Sequence, residues 1–168
     1  RMSSSEVCAG TTDTRAPDPS LYTSRGYAVF DPDIVYRVND PGMSAVWSVI
    51  GSFCAIKDWL PPVGMCIEDG KSPPTRTLVT KDGKASFVET QTARNEKEYS
   101  YSYTFVSSPL PVTNYKSTIK VTAKGERVSV VTWTGTYTPY SGKEKHAFDA
   151  LNGVYEAGLA DIQARFSK

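Results

Sequence analysis

The stretch Trp47–Cys66, WSVIGSFCAIKDWLPPVGMC, decides how the rest of the chain is read. It continues a helical pattern in which Met43, Val46, Trp47 and Ile50 form one apolar stripe. Gly51 stops that helix, and Cys54–Trp59 reads as a second short helix ended by Pro61-Pro62. The segment also carries the aromatic pair Phe53 and Trp59. Upstream, Ile34–Val38 alternates as a short strand, and Asn39-Asp40-Pro41-Gly42 breaks it and starts the helix.

Downstream the pattern changes to strands. Arg76–Thr80 and Ala85–Ala93 are joined by Lys81-Asp82-Gly83-Lys84, whose Asp-Gly is a hairpin signal. Tyr99–Ser107, Tyr115–Ala123 and Val128–Tyr137 follow, with Ile67–Asp69 as a further short strand. Short turns between successive strands predict antiparallel neighbours. The chain closes on a long helix over Lys143–Phe166, where Phe148, Leu151, Tyr155, Leu159, Ile162 and Phe166 recur on one face. Gly153 and Gly158 interrupt it at up to about 1 kcal/mol each against alanine. Such a glycine is either tolerated or marks close packing. This order predicts an α+β fold: a curved antiparallel sheet wrapped around the C-terminal helix, with a pocket between them. A closed lipocalin-like barrel is the rival, and the helices between the first two strands argue against it.

At 168 residues the chain is long enough for one domain with a real core. Residues 1–32 read as a partly ordered arm rich in Ser, Thr, Asp and Pro, with Leu21, Tyr22 and Tyr27–Phe30 able to dock on the body. Residues 33–168 read as a single ligand-binding domain. A net charge of +1 gives no reason to expect a nucleic-acid partner, and no apolar run reaches membrane-spanning length. The chain is expected to act as a monomer or weak dimer.

Three cysteines leave one unpaired. Cys54 and Cys66 flank the Trp-Pro-Pro segment and either remain thiols or close a disulfide loop worth roughly 3 kcal/mol in an oxidising compartment; Cys8 lies in the arm. The start, Arg1-Met2-Ser3-Ser4-Ser5, is polar and has no apolar leader core. Arg1 ahead of Met2 reads as an artificial remnant, with any native leader removed.

A set of landmarks in this order resembles the polyketide cyclase/dehydrase branch of the START-like, helix-grip (SRPBCC) superfamily. They are Val46-Trp47, Gly51-Ser52-Phe53, Trp59 with Pro61, Arg76-Thr77-Leu78, Glu89, Tyr101-Ser102-Tyr103, Pro109-Leu110-Pro111-Val112, Asn114-Tyr115, Trp133-Thr134-Gly135-Thr136-Tyr137, Gly153-Val154-Tyr155 and Ala157-Gly158-Leu159. The resemblance spans roughly residues 33–166. The cysteine pair is similar to exported bacterial members, in which these cysteines are expected to bond. It implies a periplasmic or secreted protein, the alternative being cytoplasmic. Where that subgroup is expected to carry histidine after the tryptophan, this chain has Leu60, so a histidine role does not transfer.

The usual catalytic signatures are absent from the sequence. His146 is the only histidine and reads as an exposed helix-start residue; no Cys/His spacing suggests zinc, and no glycine-rich phosphate loop appears. Neither metal nor organic cofactor is expected. The polar set lies on strands. Tyr99, Tyr101, Tyr103 and Phe105 share one face, opposite Ser100, Ser102 and Thr104; Tyr115, Ser117, Ile119 and Val121 share another. The tyrosines either line a cavity for a flat apolar ligand or fill the core. Arg76 and Glu89 lie on adjacent strands across the hairpin and could approach each other, either as an exposed ion pair or, as the resemblance favours, in the pocket. Buried there, Glu89 would serve as the base, with Arg76 or Tyr103 stabilising oxyanion charge. Trp59, near the entrance, with Tyr101, Tyr115, Trp133, Tyr155 and Leu159, completes the expected ligand-binding set. The expected function is binding of an aromatic or polyketide-like molecule, with metal-free cyclisation or dehydration (a lyase or isomerase). A carrier or sensor without turnover is the alternative.

Overall fold

A computed structural model describes residues 28–29, 35–39, 42–123 and 128–166. Most of the arm, including Cys8, Leu21 and Tyr22, lies outside the described residues. The strands are β1 (Ala28–Val29), β2 (Val35–Asn39), β3 (Val63–Glu68), β4 (Thr75–Thr80), β5 (Ser86–Asn95), β6 (Ser100–Ser107), β7 (Val112–Ala123) and β8 (Val128–Pro139). The helices are α1 (Met43–Ile50), α2 (Ile56–Trp59) and α3 (Glu144–Arg165), with a 3-10 turn at Phe53–Ala55 ahead of α2.

Strands β3 to β8 form a continuous antiparallel meander in chain order, and β1 and β2 both add to the far edge of β8. Ala28 pairs with Tyr137 and Val35 with Thr132, so the two short strands share one long partner. The sheet thus begins inside the segment that the sequence assigned to the arm. Gly83, at φ 72°, makes the β4–β5 turn, where Asp82 accepts from the Lys84 N–H at 2.9 Å. Register shifts between Val88 and Glu89, and between Gln91 and Ala93, interrupt the β5–β6 pairing. Irregularities of this kind bend and twist a strand, here around the helix.

The inner face of the sheet closes on α3. Ala147, Leu151, Tyr155, Gly158, Leu159 and Ile162 are its buried residues, while Phe148 and Phe166 are only half-buried. The buried stripe follows the 3.6-residue period closely, and small residues sit where the helix runs nearest to the aromatic wall. Alternation holds along β7, where Tyr115, Ser117, Ile119 and Val121 are all buried. The opposite face is not simply solvent: Ser102 and Thr118 hydroxyls meet at 2.6 Å, and Thr75 and Thr90 at 2.8 Å. β3 is longer than the expected Ile67–Asp69. As an edge strand it leaves Met65 and Ile67 more than half exposed, so its outer face lacks the polar signature of a half-buried strand.

The opening stretch packs beneath this grip. Val46, Trp47 and Ile50 of α1 are buried, and Trp47 donates to Glu96 at 2.7 Å. Cys54 and Cys66 are joined as a disulfide, tying the 3-10 turn to β3.

Candidate functional site

Between the inner sheet face, α2 and α3 lies a cavity of about 140 Å³. Its walls are almost wholly carbon: Ile56, Leu60, Pro62 and Val63 from the α2–β3 segment, Leu78 and Phe87, Phe105, Leu110 and Trp133, and Leu151 and Val154 from α3. Pro62 is exposed and Leu110 and Val154 are half-buried, which marks where the cavity approaches the surface. Glu89, Tyr103, Tyr115 and Tyr155 also line it, with Thr80.

The structure brings five of the expected residues to the cavity: Glu89, Tyr103, Tyr115, Trp133 and Tyr155. Four others stand one layer behind. Leu159 and Tyr101 are buried in the core but do not line the space. Trp59 does not sit at an entrance. It is 1% exposed and meets Trp133 edge to face at 5.2 Å between ring centres. The reason is helical spacing: Ile56 and Leu60, one turn apart, face the cavity and rotate Trp59 toward α3. Leu60, which stands where the resemblance implied a histidine, is itself part of the wall. Phe105 and Leu151 share the alternating and helical faces already recognised in the sequence, so those periods could have found them. Phe87 alternates with Glu89 along the same strand and could have been found in the same way, whereas Leu110 and Val154 stood only within the landmarks of the resemblance.

Arg76 is the fourth. Its Cα lies opposite that of Glu89, and its Nε donates to Glu89 Oε2 at 2.6 Å with both side chains buried. The guanidinium then turns away from the cavity. One Nη1–H donates to the Phe53 carbonyl and also lies 3.4 Å from the Tyr101 hydroxyl. The planar group rests 4.0 Å above the Phe53 ring centre and 4.7 Å from that of Tyr103. Burial pushes the Glu89 carboxyl above its ordinary value, and the Arg76 charge pulls against that push. Burial also opposes the charge on Arg76, but the Glu89 carboxylate and the Tyr101 and Tyr103 oxygens outweigh it and hold the guanidinium protonated. Irregular pairing on either side of Glu89 and Gln91 is the local device that sets this part of β5 against the cavity.

A second network runs through the tyrosines. The Ser117 hydroxyl donates to the Thr134 carbonyl at 2.9 Å. The Ser117 oxygen therefore accepts, taking the Trp133 Nε1–H at 2.9 Å and the Tyr155 hydroxyl at 2.7 Å. With its own proton on Ser117, Tyr155 accepts from Tyr115. Trp133 Nε1 also reaches the Tyr103 hydroxyl at 3.1 Å. Trp133 and Tyr155 stack at 4.0 Å, as do Phe105 and Tyr115 at 3.9 Å. Burial raises Tyr103, Tyr115 and Tyr155 above the ordinary tyrosine value, so all three stay protonated at neutral pH. Among the described residues no group of His, Cys, Asp and Glu could hold a metal ion, and His146 is exposed at the start of α3.

The family described as polyketide cyclase / dehydrase and lipid transport matches residues 40–167. No curated protein matches the chain. Among solved structures, protein XoxI from Bacillus cereus is 32% identical, with 83% of this chain and 94% of that one covered at a TM-score of 0.72. An uncharacterised protein from Bacillus thuringiensis is 31% identical, with 84% and 99% covered at a TM-score of 0.74. Norcoclaurine synthase from Thalictrum flavum shares the fold at 16% identity, with 83% and 91% covered at a TM-score of 0.62.

Proposed function

Since the chain belongs to the polyketide cyclase / dehydrase and lipid transport family, we propose that it binds a hydrophobic small molecule in the cavity between sheet and helix and acts on it by acid–base chemistry at Glu89. The observation that carries this reading is a buried ion pair whose carboxylate forms part of an otherwise carbon wall. Two apolar residues of similar volume would hold the strands together at least as well, so stability alone is a poor reason for charges here. A carboxyl raised by burial holds a proton more readily than a free one, which suits it to take and return a proton.

In a dehydration, Glu89 takes the proton α to a carbonyl and the C–H electron pair forms the double bond. The β-hydroxyl leaves with that proton as water, which regenerates the carboxylate. In a cyclisation the same enolate attacks a second carbonyl, and the new alkoxide recovers the proton. Tyr103 donates to the oxygen on which charge develops. Arg76 acts through Glu89 as a positioning residue, because it holds the carboxylate from behind and does not itself line the cavity. The disulfide supports placing the protein in an oxidising compartment, periplasmic or secreted.

The absence of Arg76 from the cavity wall favours a second reading, a carrier or sensor in which Glu89 only anchors the ligand. Native mass spectrometry of the purified protein identifies the ligand class, and Glu89→Gln separates the two readings. An enzyme loses turnover by about 10²–10⁴-fold while ligand affinity stays within a few-fold. Unchanged turnover in that variant refutes the catalytic reading.

A further inference from the structure

The hydrogen-bond directions around the cavity define what its occupant must offer. Serine has one proton and two lone pairs. At Ser117 all three are used, by Thr134, Trp133 and Tyr155. The Tyr155 proton goes to Ser117, and the Tyr115 proton goes to Tyr155. Tyr103 differs. Its oxygen shares the single Trp133 N–H with Ser117, whose two lone pairs are already met by that N–H and by Tyr155. Of the three tyrosines on the wall, Tyr103 alone keeps a proton to give. Glu89 is the cavity's carboxyl acceptor. Gln91 is the Cα partner of Tyr103, and Glu89 lies two residues away on the same strand face, a diagonal spacing of about 7–8 Å between backbones. One oxygen between them can therefore meet both.

We propose that the occupant is a monocyclic phenol, whose single hydroxyl accepts from Tyr103 and donates to Glu89 while the ring fills the carbon-lined remainder. This rests on the small-molecule reading of the cavity and narrows it. A volume of about 140 Å³ matches the size at which an apolar protein cavity takes one benzene ring, about 150 Å³, and leaves no space for fused rings. A hydroxyl is the one small oxygen function that both accepts and donates. A carbonyl would leave the carboxylate without a donor, and a bare hydrocarbon would leave both buried polar groups unmatched. A one-ring phenol is also what remains when a hydroxycyclohexenone loses water. There a C–H and a C–O bond break, a C=C bond forms, water leaves, and the dienone tautomerises to the aromatic ring.

The test uses the full chain and its Tyr103→Phe variant, which removes one oxygen and leaves the Trp133–Ser117 bond in place. Calorimetric affinities are measured for phenol, toluene and 2-naphthol. Phenol affinity is expected to fall at least tenfold in the variant while toluene affinity holds or rises, and 2-naphthol is expected to bind wild type at least tenfold more weakly than phenol. Equal responses of phenol and toluene to the substitution overturn the hydroxyl assignment. Naphthol binding as tightly as phenol overturns the one-ring limit. In either case the bound compound leaves the small-molecule reading standing, whereas failure of all three compounds refutes that reading itself.

Discussion

Gly158 turns the packing of the cavity wall into a measurable quantity. A Cβ built at Gly158 would lie 2.9 Å from Trp133 Cζ3, 2.9 Å from Trp59 Cζ3 and 3.0 Å from Leu60 Cδ1. Two of these are ring carbons in an edge-to-face tryptophan pair, and Trp133 is pinned by two hydrogen bonds and by stacking on Tyr155. Neither ring can rotate aside cheaply, so Gly158→Ala overpacks the core by about 1–3 kcal/mol. Alanine recovers about 1 kcal/mol of helix propensity, which leaves a net loss near 1 kcal/mol. Gly153 is the internal control. It lies in the same helix, is exposed, and a Cβ there meets nothing within 4 Å. Gly153→Ala therefore gains about 0.5–1 kcal/mol. At about 2–4 °C per kcal/mol for a chain of this size, the two alanine variants should melt roughly 4–6 °C apart, on opposite sides of wild type. Differential scanning calorimetry of the three proteins measures this. The displaced Trp133 and Leu60 belong to the cavity wall, so Gly158→Ala should also weaken ligand binding where Gly153→Ala does not. A Gly158→Ala protein that melts at or above wild type would refute the close-packing argument.

The Glu89 carboxyl is raised in the folded state, so its protonated form is favoured by folding. Its stabilising effect is complete below the ordinary value of 4.5 and is lost as pH rises through the higher folded value. Melting curves of wild type and Glu89→Gln should thus diverge against wild type as pH increases from that point; a constant difference across the range contradicts the assignment. Arg76→Met leaves a buried, unpaired carboxylate and should lose about 3–5 kcal/mol in denaturant titration, whereas Arg76→Met combined with Glu89→Leu should recover most of that. Recovery of nothing by the double variant would mean that the guanidinium acts mainly through Phe53 and Tyr101. Tyr103, Tyr115 and Tyr155 are raised by burial, so folding stability carried by their protonated forms is lost only as pH climbs above the ordinary value of 10. Absorbance near the tyrosinate band should show these three of the ten tyrosines silent until the fold is lost. Full titration with native circular dichroism intact would exclude their burial. Finally, the loop closed by Cys54–Cys66 contains Ile56, Leu60, Pro62 and Val63, one side of the cavity. Reduction should cost about 3 kcal/mol and weaken ligand binding together; a reduced protein that binds as before would show the wall to be held by packing alone.

Much of this protein is legible in its residues because the relevant signals are local. The tyrosine faces of β6 and β7 follow from two-residue alternation, and the α3 stripe from the helical period, both properties of backbone geometry. The Asp82-Gly83 turn makes Arg76 and Glu89 opposite partners, so their pairing could be anticipated from register. The order of elements and the match of chain to family were equally within reach.

The size of the hollow was not. Its volume is the small difference between the spacing of two layers and the summed volumes of the side chains that fill it, and no segment of sequence contains that difference. The direction in which Arg76 turns depends on the Phe53 carbonyl, 23 residues away, and the placing of Trp59 depends on the absent side chain of Gly158 on another helix. Which of the three wall tyrosines keeps a proton emerges only when five side chains and one carbonyl from separate strands and a helix are brought within hydrogen-bonding distance. Periodicity thus assigns each residue to a face, and only the assembled packing decides which faces enclose space and which polar atoms are left to meet a ligand.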